Sequence, residues 1–407
     1  MYSIFKFGRS MADDDSFIFI SSLQHNVNCV NGHKSKHHSE TMTKFVLLLL
    51  VLAPLVGAFG VPSRRQFVQG AIGSAAAIVA APALAKTTGK TTEYYTPAPH
   101  SLDGKLMVVT GGTAGLGLET GKRLASAGAS VVLTSRTASK GSAAVDSVKQ
   151  YAKERGIVND KVYSVVLDLD DLESVKTFTD RLSATVGPQK TNVLINNAGV
   201  MAIPDRELTK DGFERTFQSN HLGHFVLTAK MMDRLAPDAR IINVSSEAYL
   251  FASGGIDFQN LNGEKNYGPW SSYGQSKLAN IFFTNELQQR ADAAGRPLTT
   301  YSLHPGAVQT DLARNMMGTE KWESMKKEGL QGLDKIFFSA LAKLTLTVED
   351  GASTQVYLAA ADDLPAKGGA FFTDMKIADV QKFATNTEAA GKLWTVSEQL
   401  GQVEFKL

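Results

Sequence analysis

The chain has 407 residues, 43% of them hydrophobic and 20% charged, a balance that excludes disorder throughout and provides for a substantial core. A net charge of +2 gives no long-range field of the kind that recruits nucleic acid, so no nucleic-acid partner is expected and any partner has to be argued from a site. Cys29 is the single cysteine, which excludes an internal disulfide, a CxxC metal pair and a cysteine nucleophile in the body of the protein.

The first 85 residues read as addresses. Residues 1–41 are polar and aperiodic, ending "NGHKSKHHSET", and are expected to be a disordered or untranslated leader; their histidines and lysines fit a solvated tail better than a metal tract. The next stretch, "MTKFVLLLLVLAPLVGAFG", sets one lysine before an apolar run from Phe45 to Val56 and small residues at Gly57 and Ala58. That is the layout of a secretory signal, too short to span a bilayer comfortably, and it predicts a translation start at Met42. Arg64, Arg65 and Phe67 then precede a mild apolar stretch closed by Ala83-Leu84-Ala85, as in a twin-arginine export signal with its A-x-A cleavage site. A retained anchor or buried helix over 68–85 is the alternative. Two stacked signals with Phe59 after the first cut resemble algal proteins that reach the plastid through the secretory route. That resemblance implies the thylakoid lumen or membrane surface, with another secretory-route compartment as the alternative. Residues 86–407 remain for one folded domain.

"KLMVVTGGTAGLGLETGKRLASAGASVVLTSR" opens with an apolar run and breaks at glycines. It continues with Leu116, Thr120, Leu124 and Ala127 at helical spacing, then closes on a second apolar run from Val131 to Leu133. Strand, turn, helix and strand recur through "KVYSVVLDL", a helix from Leu172, "NVLINNAG", a helix through "LGHFVLTAKMMDRL", "RIINVSS", a helix from Tyr273 and "LTTYSLHPG". Alternation of this kind predicts an α/β fold, a doubly wound parallel sheet with helices on both faces.

In such a sheet ligands sit at the carboxyl ends of the strands near the switch point, where Gly111, Gly115 and Gly117 fall. Glycine lets the backbone turn tightly and approach a pyrophosphate, whose charge favours a helix amino end. With Thr113 and Leu116 in the same turn, a dinucleotide site is expected. The second strand ends "LTSRT", with Ser135 and Arg136 where an acidic residue would meet the ribose hydroxyls of NAD. A guanidinium there suits a 2′-phosphate, so NADP(H) is expected over NAD(H), unless Arg136 is an ordinary surface arginine.

Tyr273 and Lys277 in "SSYGQSKLAN" are four apart and so share a helical face, a spacing common on solvated helices. Here it occurs with the glycine turn, "NNAG" at 196–199, "NVSS" at 243–246 and "HPG" at 304–306, in that order and at strand ends. Over roughly residues 103–375 the chain resembles the short-chain dehydrogenase/reductase family. The resemblance implies Tyr273 as proton donor or acceptor, Lys277 beside it holding the nicotinamide ribose, Ser246 on the substrate carbonyl, and Asn220 steadying a water relay to the lysine. It also implies Asp168 at the adenine, Asn197, Ala198 and Gly199 lining the cofactor, and Pro305, Gly306 and Thr310 flanking the nicotinamide. Physical need agrees, because a phenol with an ordinary pKa of about 10 is a poor donor at neutrality and a neighbouring ammonium would lower that value. Ser245 stays open beside Ser246, and Asn220 could instead be a helix cap. No metal is required.

Ser246 and Tyr273 lie further apart than in compact members, so "LFASGGIDFQNLNGEKNYGPW" is expected as a loop near the substrate mouth. With "SNHLGHF", "YGQSKLAN" and "HPGAVQT", the chain looks most like the retinol dehydrogenase branch. The protochlorophyllide reductases carry a cysteine after the lysine segment, where this chain has Ala279 and Asn280. Leu333, Ile336, Phe337, Ala340, Leu341 and Leu344 form one stripe, expected to be either a core helix or a lid over a lipophilic substrate that rests peripherally on a membrane. These readings lead to an NADPH-dependent reductase of a carbonyl on a lipophilic molecule, retinal-like, isoprenoid or carotenoid, or to the reverse oxidation. A non-catalytic NADPH-sensing or assembly subunit is the rival. The resemblance further implies a homodimer paired through the helix that carries Tyr273.

Overall fold

The computed structural model describes residues 94–308, 346–364 and 367–407. The leader, both signals, Thr310 and the apolar stripe over 333–344 lie outside the described residues.

"LMVV" forms β1 (Leu106–Val109), buried along its whole length because the strand is covered on both faces. β2 (Ser130–Ser135) pairs on one side of it and β4 (Thr191–Asn196) on the other, with β3 (Val162–Val166) outside β2. β5 (Leu235–Val244), β6 (Thr299–His304) and β7 (Phe371–Thr373) continue in parallel beyond β4. The order β3-β2-β1-β4-β5-β6-β7, with one short further strand outside β7, puts the switch point between β1 and β4, the crevice in which a doubly wound sheet binds its ligand.

Alternation along the strands feeds two cores. Leu106, Val108, Val132, Leu194 and Ile241 face one, and Met107, Val109, Val131, Leu133, Ile195 and Ile242 face the other. The second face is covered by α1 (Gly115–Ser126), α2 (Ala138–Glu154) and α7 (Val348–Ala360), through Leu124, Val148 and Val356. The first face carries α3 (Leu172–Lys176), α4 (Phe178–Val186), α5 (Gly223–Met231), α6 (Pro269–Ala293) and α8 (Thr387–Gly401), through Val175, Leu182, Phe225, Phe282 and Trp394. Pro269 sits at the start of α6, where its missing N–H costs nothing. Among the described residues no helix is long and apolar enough to cross a membrane.

The sheet departs from all-parallel order at its edge. β8 (Lys376–Ile377) runs antiparallel to β7 through a two-residue turn, with Asp374 and Met375 both left-handed at φ 50° and 57°. This turn normally selects Asn-Gly. A hydrogen bond from the Met375 N–H to Thr354 Oγ1 at 3.1 Å anchors it to α7.

Two further contacts hold distant segments together. Arg123 is 2% exposed and donates to Glu119 at 2.9 Å, to the Tyr95 carbonyl and Ser353 Oγ at 3.2 and 3.1 Å, and to the Glu349 carbonyl at 2.6 Å. One buried guanidinium thus joins α1, α7 and the chain ahead of β1, with its charge and donors matched. Beyond β6, Val308 bridges Leu346, whose N–H donates to the Ala307 carbonyl at 2.7 Å.

Candidate active site

The glycine turn leaves β1 at Thr110. Its hydroxyl accepts from the N–H groups of Asn197 and Ala198 at 2.8 and 3.0 Å, while Asn197 Nδ2 donates to the Thr110 carbonyl at 2.7 Å. The ends of β1 and β4 are therefore stapled at the switch point. Gly111 and Gly115 are left-handed at φ 64° and 51°, a conformation that a side chain would strain. A Cβ on Gly117 would stand 2.4 Å from the Gly111 carbonyl and 2.6 Å from Asn197 Nδ2, so the cradle exists only without a side chain there. Thr113 and Leu116 lie within this turn, at the amino end of α1, whose cap residue Ala114 supplies no side-chain acceptor. Arg136 is exposed immediately after β2, and Asp168 is half-buried beyond β3, where its carboxylate accepts the Asp170 N–H at 3.0 Å.

Asn220 is fully buried in a π-helical turn, Gln218–Leu222, rather than at a helix start. Its amide grips Val200 from both sides, accepting the N–H at 2.8 Å and donating to the carbonyl at 2.9 Å, and it also donates to Ser276 Oγ at 2.9 Å. A Cβ on Gly199 would come 2.9 Å from Asn220 Oδ1 and 3.7 Å from Lys277 Nζ, which places asparagine, lysine and the "NNAG" backbone around one point.

Tyr273 and Lys277 face that point from α6, 6% and 4% exposed. The Lys277 ammonium donates to the Val244 carbonyl at 3.0 Å and lies 5.5 Å from the Tyr273 ring centre. The two serines at the end of β5 separate. Ser245 is buried with its hydroxyl donated to the Lys277 carbonyl at 2.7 Å, whereas Ser246 is half-buried and accepts the Ala248 N–H at 3.1 Å at the head of a 3-10 turn, Glu247–Ala252. Ser246 is thus the serine whose hydroxyl faces the tyrosine. Pro305 and Gly306 follow β6, with Gly306 at φ 88° packed against Leu346.

The electrostatics differ from the expectation in one respect. Burial pushes the Tyr273 phenol up to about 12, opposed by its hydrogen bond with Ser246, so the expected lowering by Lys277 is not present in the chain alone. Burial pushes Lys277 itself down to about 8. Desolvation wins because the ammonium has a carbonyl and no carboxylate as its hydrogen-bond partner.

The quoted motifs also contain the histidines His221, His224 and His304, and among the described residues no cluster could hold a metal ion. The structure gives two of them other work. His224 Nδ1 lies 3.0 Å from the Asn220 carbonyl, which can only accept, so Nδ1 carries the proton and Nε2 accepts from the Thr110 hydroxyl at 2.9 Å. Burial holds His224 down to about 4, neutral, and the ring links the start of the glycine turn to Asn220. His304 Nδ1 accepts the Glu247 N–H at 3.2 Å, tying the end of β6 to the residue after Ser246. Both histidines lie inside quoted motifs, "SNHLGHF" and "HPG", but nothing in their spacing distinguishes a backbone strut from a core residue.

The family described as short chain dehydrogenase matches residues 105–321. Retinol dehydrogenase 12 of Mus musculus is 38% identical over 307 residues, which cover 75% of this chain and 89% of that protein. The chloroplastic short-chain dehydrogenase TIC 32 B of Brassica napus is 34% identical over 312 residues, 74% of this chain and 90% of that protein. A crystal structure of an uncharacterized protein from Mycobacterium paratuberculosis superposes with a TM-score of 0.58 at 34% identity, covering 77% of this chain and all of that one. A matched region that spans more than half of the sequence, and relatives 38% and 34% identical that are matched over 89% and 90% of their own length, mean that the chain belongs to the short-chain dehydrogenase family.

Proposed function

We propose that the protein is an NADPH-dependent oxidoreductase that interconverts a carbonyl and an alcohol on a lipophilic small molecule. The observation that carries this reading is the convergence of Tyr273, Lys277, Ser246 and Asn220 beside a glycine cradle at the switch point. A binder of dinucleotide has no need of a buried phenol and ammonium there, since both groups cost stability. A nicotinamide dinucleotide, when bound, supplies the hydride for reduction or accepts it in oxidation.

The chain's own residues then have distinct tasks. Gly111, Thr113, Gly115, Leu116 and Gly117 receive the pyrophosphate at the amino end of α1, Asp168 meets the adenine, and Asn197, Ala198 and Gly199 with Pro305 and Gly306 line the nicotinamide side. In reduction Ser246 donates a hydrogen bond to the substrate oxygen, and Tyr273 gives that oxygen its phenolic proton as charge develops. The resulting phenolate is stabilised by the Lys277 ammonium at the same edge of α6. The phenolate then regains its proton from the Lys277 ammonium, and the amine left behind is reprotonated through solvent near Asn220. Oxidation reverses each step.

The preference for the phosphorylated cofactor rests on Arg136 beyond β2, with no carboxylate in "LTSRT" to repel a 2′-phosphate. The lipophilic substrate is supported by the likeness to a retinol dehydrogenase. A plastid location is supported by the chloroplastic relative and by the pattern over residues 42–85, with the thylakoid as the finer assignment; a fusion of residues 1–100 to a fluorescent protein in algal cells tests it. The catalytic assignment is tested by Tyr273→Phe. Turnover of aldehydes from a plastid pigment and lipid extract should fall by roughly 10²- to 10⁴-fold while NADPH affinity stays within about twofold. Full activity in that variant refutes it.

A further inference from the structure

Among the described residues, the large apolar side chains left exposed are mostly solitary, as on any protein surface. Phe251 and Trp270 differ. They are 38% and 42% exposed, yet their rings pack on each other with centres 5.6 Å apart, and Trp270 meets the Tyr273 ring edge-on at 6.4 Å. Trp270 sits one turn before Tyr273 on α6, and Phe251 sits on the 3-10 turn that Ser246 begins. The pair thus continues outward from the two residues that flank the reacting oxygen.

This ledge is rigid. A Cβ on Gly274 would lie 2.8 Å from the Ala248 carbonyl and 2.9 Å from Phe251 Cβ, so the turn is pressed directly against the backbone of α6. Tyr249, on the same turn, is buried between Phe371 and Phe383, and its hydroxyl accepts the Gln381 N–H at 3.0 Å. The order of the scaffold means that the aromatic faces are presented without a conformational search, which is the condition for a binding wall rather than a loose surface patch.

We infer that Phe251 and Trp270 form one wall of the substrate channel and select for a flat, conjugated carbonyl or alcohol over a saturated chain of similar length. This rests on the oxidoreductase reading above. Aromatic faces gain from offset stacking on an extended π-system beyond what apolar contact provides, and a saturated chain makes only the apolar contact. The wall belongs to specificity, since neither side chain reaches the proton or hydride being moved.

The test uses the full-length protein with NADPH and three probes: all-trans-retinal, hexadecanal and butanal. In Phe251→Ala/Trp270→Ala the KM for retinal should rise about tenfold, equivalent to about 1.4 kcal/mol, with kcat unchanged. The KM for hexadecanal should rise less than threefold, and that for butanal should not move. Trp270→Phe should restore most of the retinal affinity. An unchanged KM for retinal, or an equal rise for all three probes, overturns the inference. Retinal binding to Tyr273→Phe, with and without the two alanines, separates the two readings. Absence of turnover in the unsubstituted protein, with binding that still depends on the pair, overturns the oxidoreductase reading and leaves the wall standing. Binding indifferent to the pair overturns the wall alone.

Discussion

Lys277→Met should make the cofactor-free protein more stable at neutral pH while abolishing its chemistry. Lys277 is held at about 8 against an ordinary 10.5, so the folded chain carries a buried ammonium at a cost of roughly 3 kcal/mol at pH 7. The substitution removes that cost and gives up the hydrogen bond to the Val244 carbonyl, worth about 1 kcal/mol. A net gain of about 2 kcal/mol follows, or a rise in Tm of roughly 4 °C. The pH dependence fixes the cause. Below pH 8 both folded and unfolded chains keep the proton, and the folded state bears the whole cost. Between 8 and 10.5 the folded lysine has lost its proton and the unfolded one has not, so the stability of the unsubstituted protein climbs with pH. The advantage of Lys277→Met therefore shrinks from pH 8 upward and vanishes near about pH 10. Guanidinium unfolding of both proteins at pH 7, 9 and 10, without cofactor, measures this. A variant that is less stable at pH 7, or a stability difference that ignores pH, refutes the assignment of a desolvated ammonium.

Ser246→Ala should lower kcat by about 10² to 10³ with little change in stability. Ser245→Ala should instead destabilise by about 1 kcal/mol through its lost bond to the Lys277 carbonyl, and paired kinetics and unfolding curves distinguish the two. His304→Leu removes the acceptor that holds the Glu247 N–H and should lower kcat more than it raises KM, whereas His304→Asn offers an oxygen near the Nδ1 position and should recover most of the rate. Arg136→Ala should weaken NADPH binding about tenfold or more and leave NADH binding within about twofold, read by cofactor fluorescence titration. Equal effects on both cofactors would remove Arg136 from the phosphate site.

The layered architecture was legible because strands buried on both faces, such as "LMVV" and "SVVLTS", read as short apolar runs between amphipathic helices. The cradle was legible because close backbone approach leaves only glycine at 117. The edge hairpin was not. Its turn is Asp374-Met375, a pair with no turn signature, anchored by a tertiary hydrogen bond from the Met375 N–H to Thr354 Oγ1. The π-helical turn that carries Asn220 was hidden likewise, since an extra residue in a helical turn leaves no periodic trace over five positions. The proton affinity of Tyr273 was misjudged for a related reason. The spacing to Lys277 shows adjacency, but whether charge or desolvation dominates depends on how completely α6 is enclosed.

The chain departs from the sheet and returns to it through one doorway, at the bridge between Val308 and Leu346. Arg123 secures the far side of the doorway by holding Glu349 and Ser353 to α1. The end of β6 and the start of α7 are thus fastened to each other and, through one guanidinium, to the helix that opens at the glycine turn.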